Sequence, residues 1–200
     1  MGRYTGPRTK IARRFGEPIF GPDKILEKRP NAPGQHGARR KKKLSEYGEQ
    51  LRETQKARYI YGMMESQFRI FFKRAKAKAG VTGDVLLQLC ETRLDNIVYR
   101  LGLAPTRPAA RQLVTHRHIT LDGKICNVPS CIVKPGQVIG LREKSRNLTA
   151  VAASLKNSKP SVGWLAWDDA NMTGSLLSVP ERSEIPEQIE MQLIVELYSR

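Results

Sequence analysis

Apolar residues recur along this chain at two spacings, and the change from one to the other organises it. From Ser45 onward the spacing is helical. Ser45 is placed to cap a helix with Glu46 and Glu49 in its first turn; it runs to about Tyr61, with Tyr47, Leu51 and Tyr59 among its less polar positions and Gly62 interrupting it. A second helix is predicted over 63–79. Met64, Phe68, Phe71 and Phe72 form its stripe, Arg69, Lys73, Lys76 and Lys78 cover other faces, and Gly80 closes it. Aromatic rings at that spacing belong in a core rather than under nucleobases. Thr82 can cap a third helix that carries Val85, Leu86, Leu87, Leu89 and Cys90, with Cys90 packing as a small hydrophobe. Leu94, Ile97, Val98 and Leu101 then make an i, i+3, i+4, i+7 face. After the break at 103–105, Thr106 caps a further helix with Pro108 in its first turn and Ala109, Ala110, Leu113 and Val114 inward.

Beyond residue 118 the spacing shortens. Residues 119–121 and 124–128 read as strands around an Asp122-Gly123 turn, and Pro135-Gly136 leads into 137–141. One more amphipathic period covers 148–155. Residues 164–167 and 175–179 read as short strands separated by a Thr173-Gly174 turn, with Trp164 and Trp167 expected in packing. Ile189, Leu193, Ile194 and Leu197 have helical spacing, although the Leu193-Ile194-Val195 run also fits a strand. Before residue 44, Ile11, Phe15, Ile19, Phe20, Ile25 and Leu26 sustain neither period. That stretch holds five of the twelve prolines and six of the sixteen glycines, so it is expected to be an extended arm that orders on a partner. The expected fold is α+β, in three parts: a basic arm over 1–43, a helical domain over 44–91 completed by 175–200, and over 92–174 a module of two helices packed on a short-stranded sheet.

Charge sharpens the picture. The 200 residues carry 35 Lys+Arg against 19 Asp+Glu, a net charge of +16, and residues 1–43 alone contribute +10 while 144–200 contribute −1. Such an excess calls for a polyanion, with nucleic acid the leading candidate, because Lys and Arg displace the counterions condensed on phosphate. Arg93 and Arg100, seven apart, fall on one side of their helix, and Arg107 and Arg111 at i, i+4 share a face. Either pair suits a phosphate backbone; a salt bridge to a neighbour such as Asp95 is the alternative. No run approaches the ~20 apolar residues of a membrane span. The amino end has no signal-peptide core. Three cysteines, an odd number, fit a reducing compartment and not a disulfide scaffold.

Catalytic chemistry is not evident. There is no phosphate-cradling Gly-rich loop, dinucleotide fingerprint or nucleophile elbow, and no cofactor is expected. His116, His118, Cys126 and Cys131 offer four metal-ligand types within sixteen residues but lack the close Cys-x-x-Cys pairs of most zinc modules, so no metal site is expected.

At Arg93-Leu94-Asp95-Asn96-Ile97-Val98-Tyr99-Arg100 the chain resembles a known family. With Gly2-Arg3-Tyr4-x-Gly6-Pro7, Pro33-Gly34-Gln35-His36-Gly37, Gln50-Leu51-Arg52-Glu53-x-Gln55-Lys56 and the terminal Leu193-Ile194-Val195-Glu196-Leu197-Tyr198-Ser199-Arg200, it is similar along its whole length to the bacterial-type S-four family of small-subunit ribosomal proteins. The resemblance implies a structural, non-enzymatic protein of the cytoplasmic ribosome that binds the 5′ domain of small-subunit ribosomal RNA early in assembly. It implies RNA-facing roles for Arg93, Arg100, Arg107, Arg111, Gln112, His116, Arg117 and Lys134 in the module, and for Arg3, Arg8, Lys10, Arg13, Arg14, Gln35, His36 and Arg58 outside it. The run Arg39, Arg40, Lys41, Lys42 and Lys43 corresponds to residues lining the path of messenger RNA into the subunit. The C-terminal region corresponds to the part that meets protein S-five, a contact tied to translational accuracy. Relatives that anchor the arm with cysteine-bound zinc differ here, since residues 1–43 contain no cysteine. RNA-modifying enzymes and a tyrosyl-tRNA synthetase tail share such a module but add a large catalytic domain, and small heat-shock rescue proteins lack the arm and the 44–90 helices.

Overall fold

Helix boundaries follow the local chemistry of the chain closely. The computed structural model describes residues 2–39, 43–157 and 162–200. Helix α1 spans Arg8–Phe15 and α2 spans Lys24–Lys28; α3 covers Glu46–Tyr61, α4 Glu65–Lys76, α5 Thr82–Glu91, α6 Leu94–Arg100 and α7 Arg107–Thr115. Strands β1 (Ile119–Leu121), β2 (Lys124–Ile125) and β3 (Val138–Leu141) follow, then α8 (Thr149–Asn157), β4 (Leu165–Asp168), β5 (Thr173–Leu176) and α9 (Met191–Ser199). Ser45 accepts from the Gly48 amide and Thr106 from the Ala109 amide, so these two predicted caps form; Thr82 does not cap, because α5 already begins at Thr82 with Val81 at the cap position and no side-chain bond there. Gly62 ends α3 at φ 62°, a left-handed position that glycine takes without strain.

The chain divides into two compact units, residues 1–73 with 188–200, and residues 74–187. In the first, α3 packs against α9, so the C-terminal segment is a helix and not a strand. Gln50 donates to Glu196, and Tyr198 donates to Glu65 at 2.6 Å while its ring lies 5.0 Å from Phe72. Phe68, Phe71 and Phe72 are buried, as their spacing predicts; the stripe begins at buried Met63, and Met64 is exposed.

Residues 8–28 depart from the expected extended arm by forming two helices. Ile11 and Phe15, four apart, bury one face of α1 together with Ala12. Phe15 meets Tyr59 edge-on at 6.1 Å, Arg52 donates to its carbonyl at 2.6 Å, and Lys56 pairs with Glu17 at 2.7 Å. Asp23 caps α2, and Arg13 donates to the carbonyls of Arg29 and Asn31. The apolar residues are few but cluster on one helix, and α3 supplies the surface they pack against.

In the second unit all five strands form one antiparallel sheet in the order β2-β1-β3-β5-β4. Asp122 (φ 50°) and Gly123 (φ 77°) make the tight turn between β1 and β2. Leu94, Ile97, Val98 and Leu101 are all 0% exposed and form the core with Ile119, Ile139 and Trp164. Thr173 and Gly174 lie within β5 rather than in a turn. The reversal is at 169–172, where the Asp168 carboxylate accepts from the Ala170 amide and the Asn171 side chain. Glycine suits this strand position because a Cβ at Gly174 would stand 2.7 Å from the Leu101 methyls. The α+β class is as the sequence predicts.

Candidate nucleic-acid interface

The four arginines singled out by sequence come together in one ion-pair network, Arg93 and Arg111 buried and Arg100 and Arg107 half-buried. Arg93, just ahead of α6, is 0% exposed. Its Nε donates to Asp95 Oδ1 at 3.0 Å and its Nη2 to Oδ2 at 2.7 Å, and Arg111 Nη1 reaches the same Oδ2 at 3.1 Å. Arg100 forks onto Glu91, with Nε to Oε2 at 3.0 Å and Nη2 to Oε1 at 2.7 Å, and also donates to Glu187. Arg107 donates to Glu187 and to Asn96 Oδ1 at 2.8 Å, and its guanidinium sits 4.6 Å above the centre of the Tyr99 ring. Asn96 closes the set by donating to Glu91 Oε2 at 2.6 Å. Three carboxylates therefore hold four guanidiniums inside the second unit.

In this structure Arg93, Arg100, Arg107 and Arg111 take the salt-bridge alternative of the sequence reading, each paired with a carboxylate. Asp95 and Glu91 sit on α6 and the end of α5, facing inward, and a charge carried inward must bring its partners with it. The electrostatics agree. Burial by itself would lower the Arg100 pKa, but hydrogen bonding to Glu91 and the charges of Glu91 and Glu187 raise it instead. Burial pulls the Glu187 carboxyl upward, yet Arg107 and Arg100 outweigh it and hold that group below its ordinary value. Cys90, beside this ion-pair lattice, is buried as its expected packing role requires, and burial chiefly pushes its thiol up to about 12.

The remaining candidates divide by exposure. Gln112, His116, Arg117 and Lys134 are exposed on the second unit. Arg117 follows α7 at φ 64°, a left-handed position that usually falls to glycine, and so holds a long cationic side chain in a conformation costing roughly 1–2 kcal/mol. On the first unit Arg3, Arg8, Lys10, Arg14, Gln35, His36, Arg39 and Lys43 are exposed. Arg13 is occupied with the carbonyls of Arg29, Asn31 and Ala32, and Arg58 pairs with Glu65 at 2.7 Å. Arg40, Lys41 and Lys42 lie outside the described residues. His116, His118, Cys126 and Cys131 are not gathered: no group of three or more metal-ligand side chains occurs among the described residues, and His118 contacts Ser145 at 2.8 Å. Among those residues, too, no helix is long and apolar enough to cross a membrane.

Sequence reasoning missed Arg142, Lys144 and Arg146, which follow β3 and line a surface groove with Thr120 and Thr173. Their spacing carries no periodic signal; only the sheet gathers them.

An antiparallel sheet with the paired helices α6 and α7, preceded by a basic helical unit, defines a class that family models describe in two parts. One, for the ribosomal protein S4/S9 N-terminal domain, matches residues 3–91, and the other, for the S4 domain, matches residues 92–139. Over the whole length of both chains, this chain is 62% identical to the small ribosomal subunit protein uS4 of Parabacteroides distasonis, 60% to that of Bacteroides fragilis and 58% to that of Flavobacterium psychrophilum. The chain belongs to the uS4 family of small ribosomal subunit proteins.

Proposed function

We propose that the chain is a structural constituent of the small ribosomal subunit, working in the cytoplasmic ribosome without catalytic turnover. It binds the 5′ domain of small-subunit ribosomal RNA directly and helps nucleate assembly of the subunit body. Its residues 39–43 border the path of messenger RNA, and its C-terminal region meets protein S-five and so bears on accuracy. The observation that carries the reading is the division among the cations. One set is neutralised internally and stiffens the module, while Arg3, Arg8, Lys10, Arg14, Arg39, Lys43, Arg117 and Lys134 remain exposed in a family member of net charge +16. Exposed Lys and Arg contact phosphate; Gln112, Gln35, His36 and His116 add hydrogen-bonding groups beside them.

The test is competition. Full chain bound to the 5′-domain RNA is challenged with transfer RNA, and binding at least about 10³-fold tighter to the ribosomal RNA is expected, the margin of a specific complex. Equal displacement by either RNA would reduce the chain to a general polyanion binder.

A further inference from the structure

The sheet of the second unit presents two unlike faces. One carries Ile119, Ile139 and Leu176, each at most 1% exposed, and Gly174 beneath Leu101. On the other, Thr120, Gly140 and Thr173 stand in register across β1, β3 and β5. A Cβ at Gly140 would lie 3.0 Å from Thr120 Oγ1 and 3.2 Å from Thr173 Cγ2, so glycine keeps the floor level between two threonines. Over this row lies a groove of about 620 Å³, lined also by Arg142, Lys144 and Arg146 where the chain leaves β3.

Three observations select an occupant. Arg142, Lys144 and Arg146 have no carboxylate partner among the described residues, unlike the four lattice arginines, and Glu143 is the one acidic side chain in the groove lining. The floor spans two strand spacings, about 10 Å, enough for one extended strand rather than a paired helix. It bears hydroxyls and no aromatic ring, so nothing there stacks on bases.

We propose that this groove holds one strand of an RNA sugar–phosphate backbone, with Arg142, Lys144 and Arg146 on phosphates and Thr120 and Thr173 within reach of ribose 2′-hydroxyls, without base readout. The inference rests on the RNA binding proposed above and adds a contact surface to it. Hydroxyls that donate and accept suit the 2′-OH, and phosphate contacts fix register while carrying no sequence information.

The experiment measures affinity and salt slope of the full chain on 5′-domain RNA for four proteins: wild type, Arg142→Ala/Lys144→Ala/Arg146→Ala, Lys144→Glu alone, and an arm control, Arg8→Ala/Arg14→Ala. Circular dichroism checks the fold of each, and the exposed single Lys144→Glu change keeps the test valid if the triple variant misfolds. The triple variant is expected to flatten the slope of log affinity against log salt by about 2 to 3. It should bind at least tenfold more weakly at 150 mM salt, and Lys144→Glu should weaken binding in the same direction. Folded groove variants that match wild type while the arm control weakens overturn the groove and leave the proposed function standing. Groove variants that keep RNA affinity but lose binding to poly-glutamate also overturn it, by making the groove a site for acidic protein. A wild-type chain that does not bind the RNA overturns the proposed function, and the groove with it.

Discussion

Replacing Glu91 with Gln is expected to destabilise the second unit by about 3–5 kcal/mol, the cost of leaving a buried ionic partner without its counter-charge. The Glu91 side chain is 0% exposed and takes both the Arg100 fork and the Asn96 amide. Glutamine matches its shape but cannot neutralise a guanidinium, so Arg100 would share only Glu187 with Arg107. Urea denaturation should show a lower midpoint with an unchanged slope, and Tm should fall by on the order of 10 °C. A change below about 1 kcal/mol would mean that the lattice is peripheral. The lattice also makes the fold acid-labile. The folded pKa of Glu187 lies below its ordinary value, so its contribution is complete above the ordinary glutamate range, near pH 4.3, and is lost as pH falls through the lower folded value. Wild type should therefore lose urea resistance below about pH 4 more steeply than Glu187→Gln.

The second large effect is on RNA binding. If six or more of the exposed cations meet phosphates, affinity for the 5′-domain RNA falls by roughly 10³-fold between 50 and 200 mM salt, since each contact adds about 0.9 to the slope on duplex. Eight exposed Lys and Arg among the sequence-predicted residues supply that number without any lattice arginine. A loss below tenfold would mean that phosphate contacts do not dominate.

How much of this the sequence revealed depends on distance along the chain. Ser45, Thr106, Gly62 and Asp122-Gly123 act on neighbours within four residues, so the elements they bound were legible, and the i, i+3, i+4, i+7 face of 94–101 is wholly buried as its spacing required. Arg93 had its partner two residues away and could be seen as either bridge or phosphate ligand; only burial decides between them. The Glu187 that holds Arg100 and Arg107 lies 80 to 87 residues on, in a segment with no periodicity, and nothing local points to it. Thr173-Gly174 reads as a turn by residue type and is a strand because it pairs on both sides, with β4 and with β3, which is distant in sequence. In the same way Ile11 and Phe15 look too sparse to order an arm until α3 stands beside them.

The proposed division of arginines into an internal network and an exposed set that contacts RNA is tested most directly by arginine modification with phenylglyoxal, read by mass spectrometry on the full chain, alone and bound to 5′-domain RNA. Arg93, Arg100, Arg107 and Arg111 are expected to resist modification in both samples. Arg8, Arg14, Arg117 and Arg146 should react in the free chain and be protected by RNA. Rapid modification of the first four in the free chain, with protection appearing only when RNA is bound, would contradict the account.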